Sequence, residues 1–142
     1  MGARLSKGRA ANVDPVEAAL EAVASRRPAL IDLGLPRIER ALARLGDPHR
    51  RLPPVFHIAG TNGKGSTIAY LRSILEQSGA RIHVFTSPHL VRYAERIILA
   101  GEEISDAAFV EAIARVDRAA GEDDLTLFEL ITCAAFLAFS ET

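Results

Sequence analysis

Eight consecutive residues hold the densest chemistry in this sequence: Gly60, Thr61, Asn62, Gly63, Lys64, Gly65, Ser66 and Thr67. Three glycines let backbone N–H groups turn inward and approach an anion closely. Lys64 adds a full positive charge. A short apolar run, Val55 to Ala59, precedes the loop and reads as a buried strand. Behind it Ile68, Leu71 and Leu75 recur at helical spacing, so the loop feeds a helix N-terminus with its partial positive charge. Strand, glycine loop and helix together make a polyphosphate cradle, and the expected ligand is ATP.

The spacing departs from G-x-x-x-x-G-K-[ST], in which a magnesium-binding hydroxyl follows the lysine directly. Here Gly65 stands in that position, with Ser66 and Thr67 one and two places later. The cradle is therefore expected and its usual metal hydroxyl is not.

The loop Gly60-Thr-Asn-Gly-Lys-Gly-Ser66 resembles that of the folylpolyglutamate synthase and dihydrofolate synthase family, ATP-dependent amide ligases related to the Mur ligases. Other stretches carry the same resemblance. Asp32-Leu33-Gly34-Leu35 is similar to a segment that lies against the pterin-bearing substrate in the family. Thr86-Ser87-Pro88-His89-Leu90 matches a loop beside the ATP site whose serine is a magnesium ligand, so Ser87 is the metal residue implied. Serine is a weak ligand for a hard cation, so carboxylates and phosphate oxygens must share the site. Glu95-Arg96-Ile97 matches a segment after that loop, and no chemistry is assigned to its charges. Leu125, Thr126, Leu127 and Phe128 match residues bordering the pteroate pocket.

The resemblance implies a reaction. A folate or dihydropteroate carboxylate takes the γ-phosphate of ATP to give an acyl phosphate. The amine of L-glutamate then displaces phosphate and forms the amide. Lys64 would be the catalytic residue and Mg2+ the cofactor, placing the parent enzyme in folate biosynthesis and one-carbon metabolism. No general base is visible, and much of this chemistry is positioning. A Mur-type ligase of cell-wall precursors is the alternative within the class. A nucleotide-binding module without catalysis is the alternative outside it.

Periodicity places these residues on elements. Asp14, Pro15 and Glu17 open a helix striped by Val16, Leu20 and Val23. Leu35, Ile38, Leu42 and Leu45 mark a second, stopped at Gly46-Asp47-Pro48. The loop helix should end at Gly79, and residues 82–86 read as the next strand, completing a right-handed parallel βαβ unit. A strand, a turn at Gly101 and a return strand fill residues 95–104. Ser105 caps a helix bearing Phe109, Ile113, Val116 and Ala120, with a Glu111–Arg115 pair on its outer side. Residues 121–124 form an acidic, solvated turn. The last helix is apolar on most sides and should be buried, with Cys133 as a core residue. His57 is expected to pack within the loop's strand.

The fold expected is α/β, a P-loop-containing, Rossmann-like three-layer domain with a parallel sheet, truncated. Residues 1–13 read as a flexible tail, and residues 14–142 as the N-terminal part of the ATP-binding domain. The family's remaining sheet and C-terminal domain have no counterpart in this sequence. An exposed sheet edge and an unpaired final helix would make such a fragment self-associate, whereas the parent should be monomeric.

Composition bounds the rest. The 142 residues are 49% hydrophobic and 25% charged with a net charge of −1, which gives no footprint for nucleic acid or a membrane surface. One cysteine excludes an internal disulfide and agrees with a cytoplasmic setting. Arg4, Lys7 and Arg9 precede no apolar segment, so no secretory signal is expected.

Overall fold

The computed structural model describes residues 14–25 and 34–142. The expected tail at 1–13, Asp32 and Leu33 lie outside the described residues, as do Arg26, Arg27 and Pro28. The elements run α1 (Pro15–Ala24), α2 (Pro36–Arg44), a 3-10 turn (Pro48–Arg51), α3 (Lys64–Gln77) and β1 (Val84–Phe85). A second 3-10 turn (Tyr93–Arg96) then leads to β2 (Ile97–Leu99), β3 (Glu102–Glu103), α4 (Asp106–Ala120) and α5 (Leu127–Glu141).

The core is helical. Phe109, Ile113, Val116 and Ala120 of α4 are buried, as the spacing requires, against Leu130, Ile131, Ala134 and Leu137 of α5. Val16, Leu20 and Val23 of α1 and Leu42 of α2 close this core from the side of α4. Leu35, expected on the same stripe as Leu42, is instead 64% exposed. It is the N-cap of α2, so it precedes the regular helix and leaves the face that Ile38 and Leu42 share. Cys133 is fully buried, and burial pushes its thiol up to about 12. The final helix is thus covered rather than unpaired.

Side chains fix where helices begin. The Asp14 carboxylate accepts from the N–H groups of Val16 and Glu17. Ser105 accepts from Ala108 N. Thr126 and Glu129 form a reciprocal capping box on α5. The stop after α2 uses Gly46 and Asp47, both at positive φ, followed by Pro48.

The sheet differs from the expected one. Its order is β1-β2-β3, and both pairings are antiparallel. The β2–β3 hairpin turns at Ala100 and Gly101, both at positive φ, where the sequence placed its turn. Residues 52–60 adopt no strand, so the parallel partner of residues 82–86 is not formed. The reason is burial. A parallel strand is normally covered on both faces, whereas Val55 is 71% and Phe56 64% exposed. His57, expected to pack, is exposed with them. Helix α3 likewise has no buried residue, and Ile68, Leu71 and Leu75 are only half-buried.

Two ion pairs also differ. Arg115 makes a fork to Glu141 at 2.8 and 2.7 Å in preference to Glu111. Two parallel charge-assisted bonds outweigh a single exposed helix-face pair. Asp123, read as part of a solvated turn, is bound by Arg40 and by Arg44 at 2.7 Å.

Candidate nucleotide and substrate site

The loop of residues 60–63 reaches α3 through two glycines that need their freedom. Gly60 has φ 149° and Gly63, the N-cap of α3, has φ 76°. Among the described residues, no atom beyond the immediate chain neighbours and the local helix backbone lies within 4 Å of where a Cβ would stand on Gly63 or Gly65. Packing within the chain therefore does not require glycine at residue 65, and the space before the helix is open to a ligand. The first N–H groups of α3 have no acceptor inside the helix and point toward that space. The Lys64 ammonium folds back onto the loop, donating to Gly60 O at 2.6 Å and Thr61 O at 3.4 Å. The donor set is backbone N–H groups and one ammonium, which suits a polyphosphate. Thr67 Oγ1 donates to Gly63 O at 3.0 Å, so that hydroxyl serves the helix. Thr61, Asn62 and Ser66 are exposed around the cradle.

Ser87 sits beyond β1, in a loop held from the far side. The Ser87–Pro88 peptide is cis. Arg96 Nε donates to His89 Nδ1 at 3.0 Å, and its Nη1 lies 3.5 Å from Ser87 Oγ. The Arg96 guanidinium also covers the Tyr93 ring at 5.3 Å. Glu95 accepts from the N–H groups of Leu90, Val91 and Arg92. Its carboxyl is held below the usual range, first by the bond from Leu90 and then by that from Arg92. Among the described residues no cluster of three His, Cys, Asp or Glu side chains could hold a metal. No hydrogen bond or ion pair among them joins Ser87 to the 60–67 loop.

The described residues beside the two stretches matched to substrate, at the starts of α2 and α5, lie near each other. Gly34 and Pro36 line a shallow pocket with Arg37, Arg40 and residues 122–124. Arg37 Nε donates to Glu129 Oε2 at 2.8 Å and ties the start of α2 to the start of α5. Burial alone would raise the Glu129 carboxyl, but the Arg37 and Thr126 hydrogen bonds outweigh it and lower the value. Leu125 is 2% exposed and points into the core, whereas Phe128 is 53% exposed. The Phe128 ring lies 6.2 Å from that of Phe85, so β1 and α5 share one aromatic surface. The Thr126 hydroxyl is occupied by the capping box. Sequence reasoning missed the Arg37–Glu129 pair and the Glu95 and Arg96 contacts. The 92-residue separation of the first pair hides it from any local pattern.

No protein-family model matches the chain. Individual proteins do. The dihydrofolate synthase/folylpolyglutamate synthase of Escherichia coli K12 is 44% identical over 111 residues, 78% of this chain and 26% of that protein. The chain is a relative of the dihydrofolate synthases and folylpolyglutamate synthases. E. coli FolC in complex with DHPP and ADP superposes with a TM-score of 0.82 at 40% identity, covering 91% of this chain and 31% of that one. A bifunctional folylpolyglutamate synthase/dihydrofolate synthase with Mn, AMPPNP and L-glutamate bound gives 0.77 at 37% identity, covering 87% and 30%. The chain thus spans about a quarter of the length of the curated relatives it matches.

Proposed function

We propose that this chain is the nucleotide-binding portion of an ATP-dependent ligase that adds L-glutamate to dihydropteroate or a folate. The observation that carries the proposal is the loop geometry at α3. Two glycines at positive φ, an open space before the helix and Lys64 form a phosphate cradle, in a chain 44% identical to a synthase of that name.

Gly60, Thr61, Asn62, Gly63, Lys64, Gly65, Ser66 and Thr67 hold the nucleotide in this reading. Lys64 leaves the Gly60 and Thr61 carbonyls and turns to the phosphates, where it offsets charge as the phosphoryl group moves. In this reading Ser87 would offer one oxygen toward Mg2+, with further ligands supplied from outside the described residues, and the cation would offset charge on the phosphates. Residues 32–35, with Thr126, Leu127 and Phe128, border the pterin end of the substrate. Leu125 supports them from the core. Residues 14–142 form part of a larger cytoplasmic ATP-binding domain whose parallel strands would cover Val55, Phe56 and the open side of α3, giving a monomeric enzyme.

Phosphate release with dihydropteroate, ATP, Mg2+ and L-glutamate tests this reading. Glutamate-dependent release supports ligation by this chain. ATP binding without release supports a binding portion that needs further chain for turnover. Absence of ATP binding by the folded chain contradicts the proposal.

A further inference from the structure

Helix α3 carries the cradle at its N-terminus, yet little holds the helix itself. It has no buried residue, and Ile68, Leu71 and Leu75 are only half-covered. Apolar cover is non-directional, so it resists separation better than tilting. Among the described residues, one hydrogen bond joins α3 to an element beyond its own loop and C-terminal end. Arg72 Nη2 donates to Gly101 O, in the β2–β3 turn, at 2.6 Å. Arg72 Nε donates to Glu76 Oε1 at 2.7 Å, one helical turn on. That brace holds the guanidinium plane and leaves its other edge facing the turn. Helix and turn are in direct contact there: a Cβ on Gly101, at φ 97°, would stand 3.5 Å from Glu76 Oε1.

The turn is in its own right tied to the core. Gly101 N donates to Ile82 O at 3.3 Å, and Ala100 N to His83 Nδ1 at 3.2 Å. The His83 ring stacks on that of Phe139 of α5, with centroids 5.2 Å apart, and Phe139 packs against the core. A continuous line of contacts thus runs from α5 through His83 and the hairpin turn to Arg72.

We propose that Arg72, braced by Glu76, is a positioning residue for the phosphate cradle. It ties α3 to the β2–β3 turn and so sets where the first N–H groups of the helix point. This rests on the reading of residues 60–67 as the cradle. Arg72 lies two helical turns beyond Lys64, about 12 Å along the axis. A tilt of about 10° at Arg72 would carry the N-terminus by about 2 Å, and a shift of about 1 Å already degrades a phosphate site. The guanidinium is committed to Gly101 and Glu76, so it acts through the helix and not on the nucleotide.

Calorimetric titration of the whole chain with ATP, joined to amide hydrogen exchange, tests the proposal. R72M keeps an apolar stem against the turn and loses the donor, whereas R72K keeps a cation that can donate to Gly101 O. ATP affinity should fall about tenfold in R72M and recover most of that in R72K. Exchange across α3 should rise in R72M while α4 and α5 stay protected. E76Q weakens the brace and should lose about threefold, and it carries the test if R72M loosens α4 and α5 as well. Native affinity in R72M overturns the proposal even if the thermal midpoint drops, because the tie would then be structural alone. Affinity as low in R72K as in R72M overturns it too, since the donor would not be the cause. A native chain that binds no ATP contradicts the cradle itself, and the positioning role falls with it; native binding left unchanged by R72M and E76Q overturns the positioning role alone.

Discussion

Thr126 shows how one side chain sets both a fold and a site. Its hydroxyl caps α5 and donates to Glu129, which in turn holds Arg37. Thr126→Ala should cost about 1 kcal/mol, as other cap losses do, and denaturant unfolding checks it. The same change should loosen the join between residues 34–37 and 126–129, where substrate is proposed to lie. Asp123 gives a pH signature. Hydrogen bonds from Arg40, then Arg44, pull its carboxyl from 3.8 to about 2. A folded value below the unfolded one means its contribution is full above 3.8 and is lost as pH falls through about 2. Glu129 is lowered too and acts in the same direction. Thermal midpoints between neutral and strongly acid pH should fall less steeply in Asp123→Asn than in the native chain; parallel curves would contradict this. The turn glycines and the caps at Asp14 and Ser105 were legible because their chemistry is local. Asp123 was not, since Arg40 and Arg44 lie about 80 residues away in sequence.

At the scale of elements, periodicity was a good guide wherever a partner element exists in the chain. The stripes of α1, α4 and α5 are buried as spaced. Phe109, fully buried between them, should cost about 3–5 kcal/mol when cut to alanine, and Ile113→Val about 1 kcal/mol; chemical denaturation measures both. Periodicity misled wherever no partner is present. The run at residues 55–59 has the composition of a buried strand, but a strand is made by its neighbours, and this one has none among the described residues. For the same reason the stripe on α3 is only half covered. The β2–β3 hairpin needed only a local turn, so it was readable; the antiparallel seat of β1 on β2 was not.

For the whole molecule, the consequence is an asymmetric surface. Tyr70 and Ile74 stand one helical turn apart on α3, 74% and 66% exposed, and Val55 and Phe56 are exposed as well. Large apolar patches of this kind drive association. The chain alone should therefore sediment as a dimer or larger species at micromolar concentration, and a Tyr70→Glu, Ile74→Lys double variant as a monomer. A native chain that stays monomeric would show that this surface is tolerated in water. The helical core of α1, α2, α4 and α5 does not depend on that surface, so the double variant should keep its unfolding midpoint within a few degrees.

The central claim is that residues 60–67 form a phosphate cradle. Calorimetric titration of this chain with ATP and Mg2+, beside its Lys64→Ala variant, tests it most directly. The geometry of Gly60, Gly63 and Lys64 predicts saturable binding in the native chain and at least a tenfold loss in the variant, with both chains equally folded by circular dichroism. Equal binding by the two, or none by a folded native chain, would contradict the cradle and the function proposed from it.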